Sequence, residues 1–274
     1  MLQPNPFNNF YHRRWLRRLL DFDLAFLNGK YPRVSRHYAV KIARKSVAPL
    51  RSLIFRRLIH IDRTRAARRI LSIPDLNKIY QHYRKISDSG GVEPNDYIRI
   101  YESVRRLKPE FVLECGTGLT TTAIGTALLH NALDYNIQGH LISMEENRKW
   151  YDHAVALLPN ILSKTVSIFH SPKVVREVSG YKGVCYDEIP KHPYNFVFID
   201  GPTESSPLTG EVLFDMDFMF VARTNPLAIG MIDHRLNSIQ YLKPALKASH
   251  KVYYHPISKL GYILPKRQHP LNLS

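Results

Sequence analysis

Phe111-Val112-Leu113-Glu114-Cys115-Gly116-Thr117-Gly118-Leu119-Thr120-Thr121 decides the fold of this 274-residue chain. An apolar run closed by an acidic residue reads as a buried strand, Gly-x-Gly as a tight turn, and the Thr- and Ala-rich residues beyond as the start of a helix. Glycine permits φ angles closed to other residues and lets a ligand approach bare backbone. Open α/β sheets place ligands where the carboxyl end of a parallel strand turns into a helix N-terminus. The spacing is Glu-x-Gly-x-Gly rather than Gly-x-Gly-x-x-Gly, which argues against a nicotinamide fingerprint. An ordinary strand-turn-helix with two turn glycines would read the same, so the segments downstream have to decide.

Those segments repeat the pattern. After a helix over 123–133 comes His140-Leu141-Ile142-Ser143-Met144-Glu145-Glu146-Asn147, a second short apolar strand ending in acid. A carboxylate at the tip of a second strand can accept both hydroxyl hydrogen bonds of a ribose, although paired acids there also suit a solvated helix start. A third strand is predicted over 166–169, followed by His170-Ser171-Pro172. In Phe196-Val197-Phe198-Ile199-Asp200-Gly201-Pro202, four apolar residues describe a strand buried on both faces that delivers an acid before a turn. A fifth strand, Leu227-Ala228-Ile229-Gly230-Met231-Ile232, ends in Asp233-His234. Two adjacent parallel strands would then each present an Asp at one edge of the sheet, unless the two are unrelated turn caps.

In order and style these segments resemble the motifs of the class I S-adenosylmethionine-dependent methyltransferases, closest to O-methyltransferases of small molecules and sugars. The resemblance spans about residues 95–265 and implies an α/β fold, a Rossmann-like, mostly parallel sheet with an antiparallel last strand. It implies that Glu114, Gly116, Thr117 and Gly118 cradle the cofactor's amino-acid end and that Glu145, rather than Glu146, binds its ribose. Ser171 falls near the adenine, and Asp200 lies between cofactor and acceptor. Metal-dependent members hold a divalent ion with the Asp ending strand four and an Asp-Asn pair ending strand five. The matching positions, Asp200, Asp233 and His234, are thereby the expected catalytic and metal-ligating residues. Mg²⁺ prefers oxygen, whereas an imidazole in place of Asn suits Mn²⁺, Fe²⁺ or Zn²⁺ better, so the ion, Mg or Mn, stays open. The family's Lys three residues after the strand-four Asp falls on Thr203. That leaves a metal-activated hydroxyl, a base such as Glu204 or His234, or the substrate's own ionisation.

Composition fits a core of this kind: 44% of residues are apolar. Lys251-Val252-Tyr253-Tyr254-His255-Pro256 and Leu260-Gly261-Tyr262-Ile263-Leu264 read as a closing hairpin around Ser258 with no helix between, as the antiparallel last strand requires. Cys115 lies in the glycine motif and Cys185 is expected in a loop, so no structural disulfide is predicted. Ser205-Ser206-Pro207 is expected in a loop over the active site.

Charge divides the chain into a basic, mainly helical extension over 1–90 and a methyltransferase domain over 91–274. Residues 1–90 carry 20 Lys and Arg against 5 Asp and Glu, and residues 91–274 carry 19 against 18. Over 10–27, Trp15, Leu16, Leu19 and Leu20 share an arc opposite Arg13, Arg14, Arg17 and Arg18. Over 50–71, Leu53, Ile54, Leu58 and Ile61 combine with Arg51, Arg56, Arg57, Arg63, Arg65, Arg68 and Arg69. Basic amphipathic helices suit an anionic membrane surface, and the same charge attracts RNA, though no RNA-binding motif supports that. Packing of the apolar arcs on the core or on a second subunit is the third reading. No apolar run is long enough to span a bilayer and no signal peptide is legible, so a cytoplasmic protein, peripheral on the inner face of a membrane, is expected. The expected reaction is O-methylation of a hydroxyl on a small molecule, sugar or lipid-linked glycan. The alternatives are an RNA or protein methyltransferase using the basic arm, or a non-catalytic membrane or polyanion adaptor. Oligomeric state is not legible.

Overall fold

The computed structural model describes residues 38–87 and 93–266; the helix predicted over 10–27, with Trp15, lies outside them. Among the described residues three helices come first: α1 (Tyr38–Leu71), α2 (Pro74–Ile86) and α3 (Pro94–Leu107). The sheet region then runs β1 (Phe111–Cys115), α4 (Leu119–Tyr135), β2 (His140–Glu145), α5 (Arg148–Leu157) and β3 (Val166–His170). It continues through β4 (Lys173–Val178), β5 (Tyr181–Tyr186), β6 (Phe196–Ile199), α6 (Asp217–Thr224), β7 (Ile229–Ile232) and α7 (Leu236–Ala245). The described residues end with β8 (His250–His255) and β9 (Leu260–Pro265).

Seven strands form one sheet in the order β3-β2-β1-β6-β7-β9-β8. β3, β2, β1, β6 and β7 are parallel; β9 pairs antiparallel with β7 and with β8. Starting from β1, the order steps outward to β3 on one side and then reverses to β6 and β7 on the other. The switch point therefore lies between β1 and β6, where Cys115 pairs with Ile199 and the next residues are Gly116 and Asp200. The sheet is Rossmann-like and mostly parallel, with the antiparallel last strand that the resemblance implies.

Strand alternation builds a core on each face. Val112, Leu141, Phe196, Phe198 and Met231 belong to the cluster under α3 and α4, while Leu113, Ile142, Val197, Ile199 and Ile232 belong to the cluster with α6 and α7. α3 begins at Pro94 and buries Tyr97, Ile100, Tyr101 and Val104, an i, i+3, i+4, i+7 stripe. Residues before 90 join the same core: Ala66, Ile70, Leu76, Tyr80 and Tyr83 are buried in it. On α1 the arc read from the sequence is displaced. Leu53 and Ile61 are exposed, and Ala66 and Ile70 make the buried stripe. Arg99 with Asp62 (2.5 Å) and Arg69 with Glu102 (3.0 Å) tie α1 to α3.

Two local expectations need correction. Residues 173–186 form an antiparallel hairpin, β4–β5, and Cys185, expected in a loop, is buried on β5 opposite Val174. The turn is Ser179-Gly180, with φ of 54° and 78°, as a two-residue hairpin turn requires. β7 starts at Ile229 rather than Leu227, whose side chain is exposed and whose N–H is taken by Asn225 Oδ1 (3.1 Å). Both cysteines are free thiols.

Candidate active site

The glycine turn is where two backbones cross. Gly116 has φ of 95°, and a Cβ there would lie 2.8 Å from the Asp200 carbonyl carbon and the Gly201 nitrogen. A Cβ on Gly201 would lie 2.7 Å from Gly116 Cα and 2.8 Å from the Tyr186 hydroxyl. Only hydrogens fit between the tips of β1 and β6. Gly118 is different: its φ of 177° suits any residue, and nothing lies within 4 Å of a Cβ built on it.

Glu114 holds this turn from beneath. It is completely buried, and its carboxylate accepts hydrogen bonds from the hydroxyls of Thr120 (2.5 Å), Thr121 (2.6 Å) and Ser143 (2.6 Å). Thr121 Oγ1 also accepts the N–H of Gly118 at 2.9 Å, and the Ser143 hydroxyl meets Thr117 Oγ1 at 2.8 Å. Burial pushes the Glu114 carboxyl up to about 7, and the three hydroxyls pull the other way. Glu114 positions the loop between β1 and α4 from beneath, beside the cavity rather than in its wall.

That cavity, about 530 Å³, opens at the carboxyl edge of the sheet. Its walls come from the ends of β1 (Gly116, Thr117), β2 (Glu145, Glu146, Asn147) and β6 (Asp200 to Thr203), with Trp150 at the start of α5. Glu145 is 8% exposed, and its Oε1 accepts the Asn147 N–H at 2.9 Å; burial raises its pKa. Glu146 instead turns to Lys173 Nζ (3.2 Å) and accepts the Thr203 N–H (2.8 Å). Ser171 is buried next to the β2 tip: its N–H bonds the Glu145 carbonyl (3.0 Å), and its hydroxyl accepts the N–H of Glu188 (3.0 Å).

The acceptor side departs most from the sequence reading. The structure does not assemble Asp200, Asp233 and His234 as an ion-binding set, and no such group of three exists among the described residues. The physical reason is Arg235. Its Nε lies 3.7 Å from Asp200 Oδ1, its Nη1 donates to the Pro202 carbonyl (2.6 Å), and its Nη2 donates to the Asp200 carbonyl. A fixed cation therefore stands beside Asp200, while His234 Nδ1 is engaged by the Tyr254 hydroxyl (2.8 Å). Glu204, a candidate base, turns away to the N–H of Ser238 (2.9 Å) and its hydroxyl (2.5 Å) at the start of α7. It caps that helix and holds down the loop carrying Ser205-Ser206-Pro207.

Besides Arg235, the sequence did not single out Lys173 and Tyr186, which line the cavity, or Asp96, which interacts with its acids through charge. Lys173, on the hairpin β4–β5, lines the cavity and reaches the loop where the resemblance leaves a lysine missing: Nζ donates to Thr203 Oγ1 and to Ser205 Oγ (3.4 Å). Tyr186 places its hydroxyl on the Met144 carbonyl (3.1 Å). Asp96, 7% exposed on the first turn of α3, is pushed up to about 8 by burial, with Asp233, Glu93 and Asp200 adding to the rise and Arg99 opposing it. Burial and the neighbouring Asp233 also raise Asp200, with Arg235 opposing; the Asp200 side chain keeps 39% of its surface accessible, so water screens part of each effect.

No protein-family profile matches the sequence, and no curated protein matches it. Among solved structures, the chain is similar to the O-methyltransferase TomG from Streptomyces achromogenes, solved with SAM (14% identity, TM-score 0.44, covering 70% of this chain and 89% of that one). It is also similar to an O-methyltransferase from Bacillus cereus solved with SAH (13%, TM-score 0.42, 73% and 90%). A methyltransferase from Geobacter sulfurreducens shows 12% identity and a TM-score of 0.44 over 74% of this chain and 98% of that one. Likenesses this distant carry no weight for chemistry, which has to rest on the strand order and the cavity.

Proposed function

We propose that this chain is an S-adenosylmethionine-dependent O-methyltransferase acting on a hydroxyl of a small molecule, sugar or lipid-linked glycan. The observation that carries the reading is the cavity at the switch point, where a glycine turn too tight for any Cβ adjoins the buried carboxylate of Glu145. These residues fit the cofactor. Open space over Gly118 admits it to the turn, a carboxylate acceptor suits a ribose diol, and the Trp150 ring at the rim offers a flat apolar face. When bound, the cofactor supplies an electrophilic methyl on a sulfonium.

The chain's own residues then have two tasks. Thr117, Glu145 and the loop Asp200 to Thr203 fix position, which is the larger share of the work in a displacement at carbon. Asp200, raised toward neutrality at the cavity wall, takes the acceptor's proton as its oxygen accepts the methyl. Arg235 holds the Asp200–Pro202 backbone, and Lys173 holds Thr203, so the base sits on a braced loop. A divalent ion does not fit beside a guanidinium at this place, and no step is routed through one. Calorimetric titration of S-adenosylhomocysteine tests the reading: saturable binding supports it, and its absence from folded protein refutes it.

An anionic membrane surface is the partner we propose for residues 10–71. Arg56, Arg57, Arg65 and Arg68 are exposed on α1 together with Leu53 and Ile61, which is the mixture an interfacial helix presents. Among the described residues no helix is long and apolar enough to cross a membrane.

A further inference from the structure

α1 runs farther than the sheet domain it packs on. α3 leads into β1, so its first turn lies at the carboxyl edge of the sheet, where Asn95 Nδ2 donates to the Ser258 carbonyl in the β8–β9 turn (3.3 Å). Arg63 pairs with Glu93 at this level, Asp62 with Arg99 one turn on (2.5 Å), and Arg69 with Glu102 farther along (3.0 Å). α1 therefore points the same way as α3, and its residues 50–61 extend past the edge at which the cavity opens, by about 18 Å of helix. This overhang stands on the acceptor side, because Asp96 on the first turn of α3 feels the charges of Asp233 and Asp200. Helical periodicity gives it two faces. Phe55 and Ile59 lie on the face that carries Ala66 and Ile70, the buried stripe of α1, but two to three turns before the sheet core begins, and both are half-buried. The opposite face is exposed and carries Leu53, Arg56, Arg57, Ile61, Arg65 and Arg68.

We propose, on the methyltransferase reading above and the membrane partner given to α1, that the acceptor is an amphiphile drawn from an anionic bilayer, its apolar chain lying along Phe55 and Ile59 while its hydroxyl reaches Asp200. Charge selects the source. Residues 38–61 hold six Lys and Arg and no acidic side chain, so the overhang attracts an anionic surface. The same charge repels residues 1–37, which hold seven Lys and Arg against two Asp, and it repels α1 of a second copy. A nucleic acid would satisfy the arginines but has no use for an apolar stripe on the face turned toward the site. An alkyl chain does, since its burial against Phe55 and Ile59 is favourable in proportion to the area removed from water. The two faces thus divide the work: the basic one meets the bilayer, and the apolar one leads the acceptor from it to the edge of the sheet.

Octyl β-glucoside and methyl β-glucoside share a hydroxyl-bearing head and differ only in the chain. Their calorimetric titration into the full protein saturated with S-adenosylhomocysteine, below the concentration at which micelles form, is the test. Saturable binding of the octyl glucoside is expected, at least about tenfold tighter than that of the methyl glucoside. The preference should fall at least about fivefold in Phe55→Ser/Ile59→Ser, persist in Phe55→Leu/Ile59→Val, and be unchanged in Leu133→Ser/Leu227→Ser, which removes exposed apolar side chains elsewhere. No octyl preference in the unaltered protein overturns the proposal without any variant having to fold. Equal losses in the two serine pairs overturn it in favour of unspecific adhesion. Displacement of the octyl glucoside by a peptide of residues 10–27 overturns it in favour of the chain's own segment, and displacement by single-stranded RNA in favour of a polyanion. S-adenosylhomocysteine is titrated first: failure to bind removes the methyltransferase reading and this inference with it, whereas binding without an octyl preference removes the amphiphile alone.

Discussion

At the scale of single residues, the acids divide into those that face the cavity and those that shape it. Glu145 faces it, so Glu145→Ala should weaken S-adenosylmethionine and S-adenosylhomocysteine about 10–100-fold by calorimetry, the value of charge-assisted hydrogen bonds. Unchanged affinity would remove the ribose role. Asp200→Asn should lower kcat by roughly 10²–10⁴ with cofactor affinity nearly intact, as for a proton acceptor. Rates unchanged by excess chelator would agree with Arg235 standing where an ion would have to be, whereas loss of activity on chelation would restore the ion. Asp96 is a stability residue with a definite sign. Its carboxyl is raised from 3.8 to about 8, so the folded state holds the extra proton. The stabilising contribution is complete below about pH 4 and disappears as pH rises through 8. Asp96→Asn should therefore melt higher than the unaltered protein above pH 8, by roughly 5 °C or more, and the two curves should converge near pH 4. Parallel curves across that range would mean that Asp96 titrates normally.

At the scale of elements, what was legible in the sequence was whatever a strand writes into its own residues. The five parallel strands and the closing hairpin announce themselves as apolar runs with an acid, a glycine or a proline at the end, and the switch point follows from their order. The hairpin β4–β5 was missed because Lys173, Arg176 and Glu177 interrupt its alternation and leave Ser179-Gly180 as the only local signal. Asp96, Lys173 and Arg235 were invisible for a different reason. Lys173 and Arg235 reach the cavity from elements whose approach is fixed by packing, since β4–β5 folds back on the sheet and α7 begins under the β6 loop, and Asp96 is buried because α3 lies against α4. The turn between β1 and α4 tests the part that was legible. Gly116→Ala must place a Cβ against Asp200 at φ of 95° and should cost about 2–5 kcal/mol in denaturant unfolding. Gly118→Ala, with open space around it, should leave stability nearly unchanged and weaken cofactor binding. Equal destabilisation by both would mean that Gly118 is needed for the fold rather than for a ligand.

At the scale of the whole molecule, the division by charge does not coincide with the division by packing. Twenty of the 39 Lys and Arg precede residue 91, yet Ala66, Ile70, Leu76, Tyr80 and Tyr83 belong to the core of the sheet domain. Truncation through residue 70 would therefore open that core, whereas removal of residues 1–37 takes away seven Lys and Arg and two Asp and spares every buried contact described above. The 38–274 chain should bind S-adenosylhomocysteine as the full chain does and adhere less to anionic vesicles. Each cation near such a surface contributes about 1 kcal/mol and is screened within a Debye length, so salt should mimic part of the loss. Apolar insertion should leave a salt-resistant remainder that the truncated chain lacks. The chain's two tryptophans are Trp15 and Trp150, so in Trp150→Phe the emission reports on Trp15 alone. It should shift to the blue and become protected from quencher only when vesicles are added. Emission already blue and protected without lipid would instead mean that residues 10–27 pack on protein, and the surplus charge of α1 would have to find its partner without them.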